Sequence, residues 1–202
     1  MKVLFSIALA SLLASPGIAL YAATEGQAER LATQVCAACH GRDGNSISPL
    51  FPRLASQPPQ YIEAQLKQFR AKTRADPPAM AYMWGMASQL DDETIKDLAT
   101  YYAAQAARGM PAGQVRTITL GREIYERGLV DRGVPSCKAC HGVAAQGSAT
   151  VPRLAGQHPE YLARQLAFFK TKLRGNDPVM AAVCAELTAE QIQAVATYAS
   201  SK

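Results

Sequence analysis

Apolar side chains recur with the period of an α-helix in several stretches of the chain. Residues 59–74 carry Ile62, Leu66 and Phe69 at helical spacing, and residues 159–174 repeat the arrangement. The last stretch places Ile192, Val195, Ala196 and Ala199 on one face. None of the segments between these stretches shows the strict alternation of a β-strand. The pattern predicts an all-α protein.

Two of the predicted helices have clear start signals. Asp91 stands before an acidic first turn in "DDET", and Thr188 with Gln191 matches a capping box. The segments between helices are rich in Gly, Pro and Ser, which favour loops over continued helix. We therefore expect short helices joined by long loops.

The chain contains a long internal repeat. "CAACH" at residues 36–40 returns as "CKACH" at residues 137–141, and a spacing of 100 or 97 then relates the following positions: Pro52/Pro152, Arg53/Arg153, Leu54/Leu154, Tyr61/Tyr161, Gln65/Gln165, Leu66/Leu166, Phe69/Phe169, Met83/Met180, Leu90/Leu187 and Tyr101/Tyr198. Gly and Pro interrupt the helical pattern in "GMPAGQ", residues 109–114. The repeat predicts two domains of one kind, residues 23–110 and 111–202.

The N-terminus has the pattern of an export signal. Met1 and Lys2 precede an apolar run to Leu13, and Pro16 and small residues follow. The apolar run is shorter than the roughly 20 residues that a bilayer-spanning helix needs. We predict a signal peptide over residues 1–22, cleaved after Ala19 or Ala22, and a mature protein in the bacterial periplasm.

Charge gives no indication of a nucleic-acid partner. The formal charge is +5, of which Lys2 contributes +1. Residues 23–112 hold nine basic and nine acidic side chains, and residues 113–202 hold eleven and seven. The basic residues are scattered and not interleaved with aromatic residues, as on solvated helix faces. The asymmetry between the halves can orient partner proteins by long-range electrostatic steering.

The two C-x-x-C-H runs are typical of covalent haem attachment. Cys36, Cys39, Cys137 and Cys140 are expected to bond to the vinyl groups of two haem c groups, while His40 and His141 face the iron. A zinc site requires closer pairs of C-x-x-C, and a thioredoxin-like pair requires a βαβ setting. Simple disulfides would leave the two histidines unexplained. Haem would also complete the thin core of so small a domain.

Methionine is the expected second axial ligand of each iron, because a His/Met pair is the arrangement of cytochromes c. His158 has no counterpart in the first half, where Pro58 stands. Met180 is the one methionine of the second half, and the repeat pairs it with Met83. Met80 and Met86 remain alternatives to Met83. An iron with both axial positions filled favours electron transfer over oxygen binding or peroxidase chemistry.

Further recurring residues surround these motifs. A metal-bound histidine usually donates its other ring N–H, and the carbonyls of Pro52 and Pro152 are candidate acceptors. Arg53 and Arg153 are candidates for haem propionates or for solvated side chains. The recurring tyrosines and glutamines are candidates for a haem edge or for an ordinary amphipathic face. Cys184 has no counterpart in the first half, and we expect it to be a buried thiol.

Over most of its length the chain resembles the two-haem cytochrome c4 family. The resemblance rests on "CAACHGRDGNS", the paired "PRLA" elements, "GQHPEYLARQL" and a methionine seven residues before "LD" or "LT". The resemblance implies two tandem class I cytochrome c domains, each a few helices wrapped around a covalently attached haem with His and Met ligands. It implies propionates near the contact between domains. In the second half, "VAAQGS" replaces the "DGNS" segment.

The resemblance also implies an electron carrier rather than an enzyme, either soluble or associated with the membrane surface. The favoured hypothesis is a shuttle that takes electrons from a quinol-oxidising complex or a small redox protein and delivers them to a terminal oxidase. The alternative is the dihaem cytochrome subunit of an enzyme complex, such as a flavocytochrome sulfide dehydrogenase.

Overall fold

The computed structural model describes residues 26–110 and 115–202. The predicted signal peptide, residues 1–22, and part of the predicted boundary, residues 111–114, lie outside the described residues. No helix within the described residues is long and apolar enough to cross a membrane.

The first half of the chain, residues 26–110, is built from four helical segments. The first segment starts at residue 26 and passes through a π-helical turn before a final α-helical turn, and the third segment also combines a π-helical with an α-helical turn. The segments are α1 (residues 26–31, Ala32–Cys36 and Ala37–His40), α2 (Pro59–Arg70), α3 (Ala79–Met83 and Trp84–Ala87) and α4 (Asp92–Ala103).

The second half, residues 115–202, follows the same order, except that a loop separates its first helix from the turn that carries the C-x-x-C-H run. Its helices are α5 (Val115–Arg127), α6 (Lys138–His141), α7 (Pro159–Lys170), α8 (Pro178–Ala185) and α9 (Ala189–Ser200), with a 3₁₀ turn over Val130–Arg132. Outside the helices of the described residues, the only extended pairing consists of two isolated bridges. The all-α prediction is therefore confirmed.

The predicted helix starts are confirmed, but two predicted helix ends are wrong. Asp91 accepts the N–H of Thr94, and Thr188 with Gln191 forms the capping box. Helices α2 and α7 end four residues before Arg74 and Arg174, because Lys72 and Lys172 adopt left-handed conformations with φ of 58° and 60°. The chain therefore turns inward after each lysine.

Each half has its own apolar core, formed where its first and last helices cross. In the first half Ala28 and Ala32 pack against Leu98, Ala99 and Tyr102. The core of the second half draws only on residues of that half, including the predicted face of α9. The division of the core supports two separately packed units.

Gly121 allows α5 and α9 to cross at very short range. A Cβ atom at this position would lie 2.1 Å from the carbonyl oxygen of Ala194 and 2.7 Å from the Cβ of Tyr198. Both neighbours belong to α9, and one of them is backbone, so neither can move aside easily. The packing of the second half therefore depends on a residue without a side chain.

The contact between the halves is polar and reciprocal. The Gln157 side chain bonds the backbone of Arg53 in both directions, and the Gln57 side chain does the same with Arg153. Buried His158 adds a ring hydrogen bond to the carbonyl of Ser46, 2.8 Å long. Residues 100 apart thus exchange equivalent contacts, which is the pattern of an approximate twofold relation.

Two buried arginines cross this interface in opposite directions. Arg74 donates to Gln165, and Arg174 donates to Gln65 and to the hydroxyl of Tyr61. The two guanidinium groups differ in whether a carboxylate lies beside them. Arg74 pairs with buried Asp76, with 2.9 Å between Nε and Oδ2, whereas Asn176 occupies the equivalent position beside Arg174.

We predict that Gly121→Ala lowers the free energy of unfolding by about 3 kcal/mol, because the new methyl group overpacks the α5–α9 crossing. Urea unfolding of the haem-loaded protein measures the change. Gly85→Ala is the matched control, since a Cβ there meets nothing within 4 Å. It should leave stability unchanged or raise it by about 0.5 kcal/mol. Equal effects at the two glycines would contradict the packing described.

We predict that Asp76→Asn costs about 3 kcal/mol of stability, because it leaves the Arg74 guanidinium buried without its carboxylate. Asp92→Asn removes the carboxylate of the exposed pair with Arg70 and should change stability little. Thermal and urea unfolding would compare the two variants. A small and equal loss of stability in both variants would show that the buried Arg74–Asp76 pair contributes no more to stability than the exposed pair.

Candidate functional site

The two cysteines of each C-x-x-C-H run lie on one short helical turn that ends at the histidine. Cys36 ends the π-helical turn of α1, and Cys39 lies in the turn Ala37–His40. Cys137 caps α6, and Cys140 lies within it. The two runs have the same backbone conformation. In each run both thiols and the imidazole project from one helical turn.

All five cysteines are unpaired. Burial raises the pKa of Cys36 and raises that of Cys137 to about 11. Burial therefore favours the neutral thiol over the thiolate in the free protein. Among the described residues, no three side chains of His, Cys, Asp or Glu converge as a metal-binding group.

Both histidines are buried, and one nitrogen of each ring is fixed. Nδ1 of His40 lies 2.9 Å from the carbonyl oxygen of Pro52, and Nδ1 of His141 lies 3.0 Å from that of Pro152. The predicted acceptors are confirmed. With Nδ1–H donating, the tautomer leaves Nε2 as a lone-pair donor directed away from the proline loop.

Burial lowers the pKa of each histidine, and the proline carbonyl opposes that shift. The imidazoles are therefore held towards the neutral form that binds a metal.

The loop after each histidine turns back towards the histidine ring because a glycine directly follows the histidine. Gly41 and Gly142 have φ of 79° and 83°, in the left-handed region that glycine adopts without strain. They end the helical turns and redirect the chain towards the proline that holds the ring. "CHG" is thus a structural unit in both halves.

The methionines of the first half differ in burial. Met80 and Met86 are 44% and 57% exposed, whereas Met83 is half-buried and packs against Phe69, Ala79 and Ala87. Met180 is half-buried in the first turn of α8, where its N–H donates to the side chain of Asp177.

An aromatic contact links the methionine segment of the first half to the histidine. The ring of Phe51 lies 6.2 Å from that of His40 and 5.4 Å from that of Tyr82, measured between centroids. Tyr82 precedes Met83 in the sequence. The segment that carries Met83 therefore lies beside the same loop as His40.

The recurring side chains outside the C-x-x-C-H runs lie mainly between the halves. The Arg53 guanidinium donates to the carbonyls of Ser46, Arg108 and Gly156, and Arg153 donates to that of Ala155. Neither arginine is a free surface cation.

The tyrosines and glutamines belong to the arginine clusters rather than to an ordinary amphipathic face: Tyr61, Gln65, Tyr161 and Gln165. Cys184 is fully buried as expected, and burial raises its pKa to about 12.

Interface residues whose roles were not predicted from the sequence include Gln57, Gln157, Arg74 and Arg174. The available signal was their recurrence at a spacing of 100, in "LASQ" and "LAGQ" and after the helical stretches.

The donor set of each half fits a covalently attached haem. Two free thiols on one turn precede a buried imidazole whose Nδ1 is already occupied, and a half-buried methionine is available in the same half. These are the groups that thioether attachment and axial ligation require.

Comparison with known proteins gives consistent matches. The cytochrome c family model matches twice, over residues 23–104 and 118–201. Cytochrome c4 of Thiocapsa roseopersicina is 39% identical over 175 residues, covering 84% of this chain and 88% of that protein. The solved structure of Acidithiobacillus ferrooxidans cytochrome c4 has a TM-score of 0.77 and 36% identity, covering 83% of this chain and 98% of that one.

A relative with a different name also matches. The thiosulfate dehydrogenase electron acceptor of Stutzerimonas stutzeri strain A1501 is 35% identical over 173 residues, covering 83% of this chain and 78% of that protein. Across these matches the fold class is the predicted one, with two tandem cytochrome c domains and covalently bound haem c. The chain belongs to the cytochrome c family, and within it to the two-domain cytochrome c4 proteins.

Proposed function

We propose that the protein is a periplasmic dihaem electron shuttle with domains at residues 23–110 and 111–202. As a two-domain cytochrome c it is an electron carrier and not an enzyme. The observation that carries the proposal is the repeated turn that presents two free thiols and a buried histidine fixed by a proline carbonyl. A bound haem accepts and returns one electron at a time.

The residues of the chain have distinct roles in this proposal. Cys36 and Cys39 attach the first haem and Cys137 and Cys140 the second. His40 and His141 supply one axial ligand each. The proline carbonyls hold each imidazole in one tautomer and orientation, so that the ligand does not have to reorganise when the charge on the iron changes.

Met83 and Met180 are proposed as the second axial ligands. Their partial burial, the packing of Met83 against Phe69, Ala79 and Ala87, and the contact of Phe51 with the neighbouring Tyr82 support this choice over Met80 and Met86. With both axial positions filled by these side chains, no position at the iron would be left for a substrate, which suits electron transfer.

The partners are proposed as respiratory redox proteins: a quinol-oxidising complex or a small redox protein as donor, and a terminal oxidase as acceptor. Support comes from the relation to cytochromes c4. Residues 113–202 carry an excess of positive charge, which would attract an acidic surface of a partner protein to this half of the chain.

A second candidate function is that of electron acceptor for a dehydrogenase. The relative named as a thiosulfate dehydrogenase electron acceptor favours it specifically. The two candidates share the haem sites and differ in the source of electrons and in how long the protein stays bound to its donor.

We predict that Met83→Ala and Met180→Ala each remove about half of the far-red methionine-to-iron band of the oxidised protein, because each iron loses one sulfur ligand. Each variant should also lower the midpoint potential of one haem. Met80→Ala and Met86→Ala are controls and should keep the whole band. Loss of half the band in Met80→Ala instead would reassign the ligand. A pyridine haemochrome assay first establishes two haems per chain, and fewer would refute the proposal.

We predict that the oxidised protein is reduced by its donor without forming a lasting complex. Stopped-flow mixing with a quinol-oxidising complex, and separately with thiosulfate dehydrogenase and thiosulfate, compares the two sources of electrons. Size-exclusion chromatography of the same mixtures tests for stable association. Rapid reduction with separate elution supports a shuttle, whereas co-elution with the dehydrogenase would establish the second candidate.

A further inference from the structure

One peptide group connects His40 to the other domain. The carbonyl of Pro52 accepts the hydrogen bond from Nδ1 of His40, and the N–H at the other end of this peptide belongs to Arg53. That N–H donates to Oε1 of Gln157, at 2.8 Å. A single planar unit therefore lies between a proposed iron ligand of the first domain and a carboxamide of the second.

The same arrangement exists in the opposite direction. The carbonyl of Pro152 accepts from Nδ1 of His141, and the N–H of Arg153 donates to Oε1 of Gln57, at 3.1 Å. Each histidine thus reaches across the interface through one peptide group.

Both carboxamides are held at each end. Nε2 of Gln157 donates to the carbonyl of Arg53 at 2.9 Å, and Nε2 of Gln57 donates to that of Arg153 at 2.8 Å. The two glutamines are only 4% and 6% exposed. Since oxygen faces N–H and nitrogen faces C=O in both pairs, the network determines the orientation of the amides.

A hydrogen bond at one end of a peptide group strengthens the one at its other end. When the N–H of Arg53 donates, the carbonyl oxygen of Pro52 becomes more negative and a better acceptor. The N–H of the histidine ring is then held more tightly, and Nε2 becomes more basic. A more basic ligand stabilises the oxidised iron and lowers its potential.

We propose that Gln57 and Gln157 are positioning residues that act across the interface, each adjusting the potential of the haem in the other domain. The inference rests on the proposed ligation by His40 and His141. A merely structural role would not predict which haem responds. Here each glutamine affects the potential of the haem in the other domain, and its removal raises that potential.

The experiment measures one haem at a time. In a Met180→His background the second haem keeps two axial ligands but loses the far-red band, so a redox titration at that band follows the first haem alone. Gln157→Ala in this background should favour reduction of the first haem about threefold, which corresponds to about 28 mV for a one-electron couple.

The matched control is Gln57→Ala in the same background. It removes the equivalent contact from the same interface and should leave the first haem unchanged. In a Met83→His background the two glutamines exchange roles. Potentials unchanged by either substitution, or shifted in the haem of the same domain, would overturn the proposal.

A conservative variant separates tuning from loosening of the interface. Gln157→Glu keeps an acceptor for the N–H of Arg53 and adds negative charge, so it should shift the first haem in the direction opposite to Gln157→Ala. Damage to the interface would shift both variants the same way, and that result would refute the proposal. In proton NMR, the Nδ1–H of His40 should exchange faster in Gln157→Ala than in the parent.

Failure of the haem assignment is recognised separately. Haem content, and the far-red band in the parent, are measured before any potential. Fewer than two haems would refute the proposed function, whereas two haems with potentials insensitive to both glutamines would refute only the inference.

Discussion

The hydrogen bond from each buried histidine to a proline carbonyl is the constraint on which the rest of the molecule depends. A buried imidazole is costly unless its polar atoms are used, and the carbonyls of Pro52 and Pro152 use one nitrogen of each ring. The other nitrogen is then available to a metal in a fixed direction. The glycine after each histidine turns the chain back, and the helices hold the returning loop. Much of each small domain thus serves to orient one ring.

The interface uses the same loops. The peptide groups that hold the histidines also pair with Gln57 and Gln157, and the buried arginines cross beside them. Polar contacts of this kind contribute less to stability than apolar packing of equal area, but they define one relative orientation. The same contacts occur in both directions, so each domain supplies the glutamine that pairs with the histidine-holding loop of the other domain. The geometry of each loop therefore depends on how the two domains are oriented.

Local features were predictable from the sequence because their signals are local. The capping residues, the apolar faces, the C-x-x-C-H turns and the proline acceptors follow from short patterns. The ends of α2 and α7 were mispredicted because lysines, not glycines, adopt the left-handed conformation there. The roles of Gln57 and Arg74 were missed for another reason. Recurrence at a spacing of 100 shows that a residue is repeated, but not which domain supplies its partner.

The repeat also separates what the two sites share from what distinguishes them. Both use the same turn, the same proline acceptor and the same crossing arginine. Asp76 balances Arg74, whereas Asn176 leaves Arg174 with no carboxylate at ion-pair distance among the described residues. A buried charge acts strongly on its surroundings because the interior screens it weakly. The two proposed iron sites would have equivalent ligands but would lie in unequal electric fields. A difference in potential between the two haems would then originate in such substitutions around the ligands.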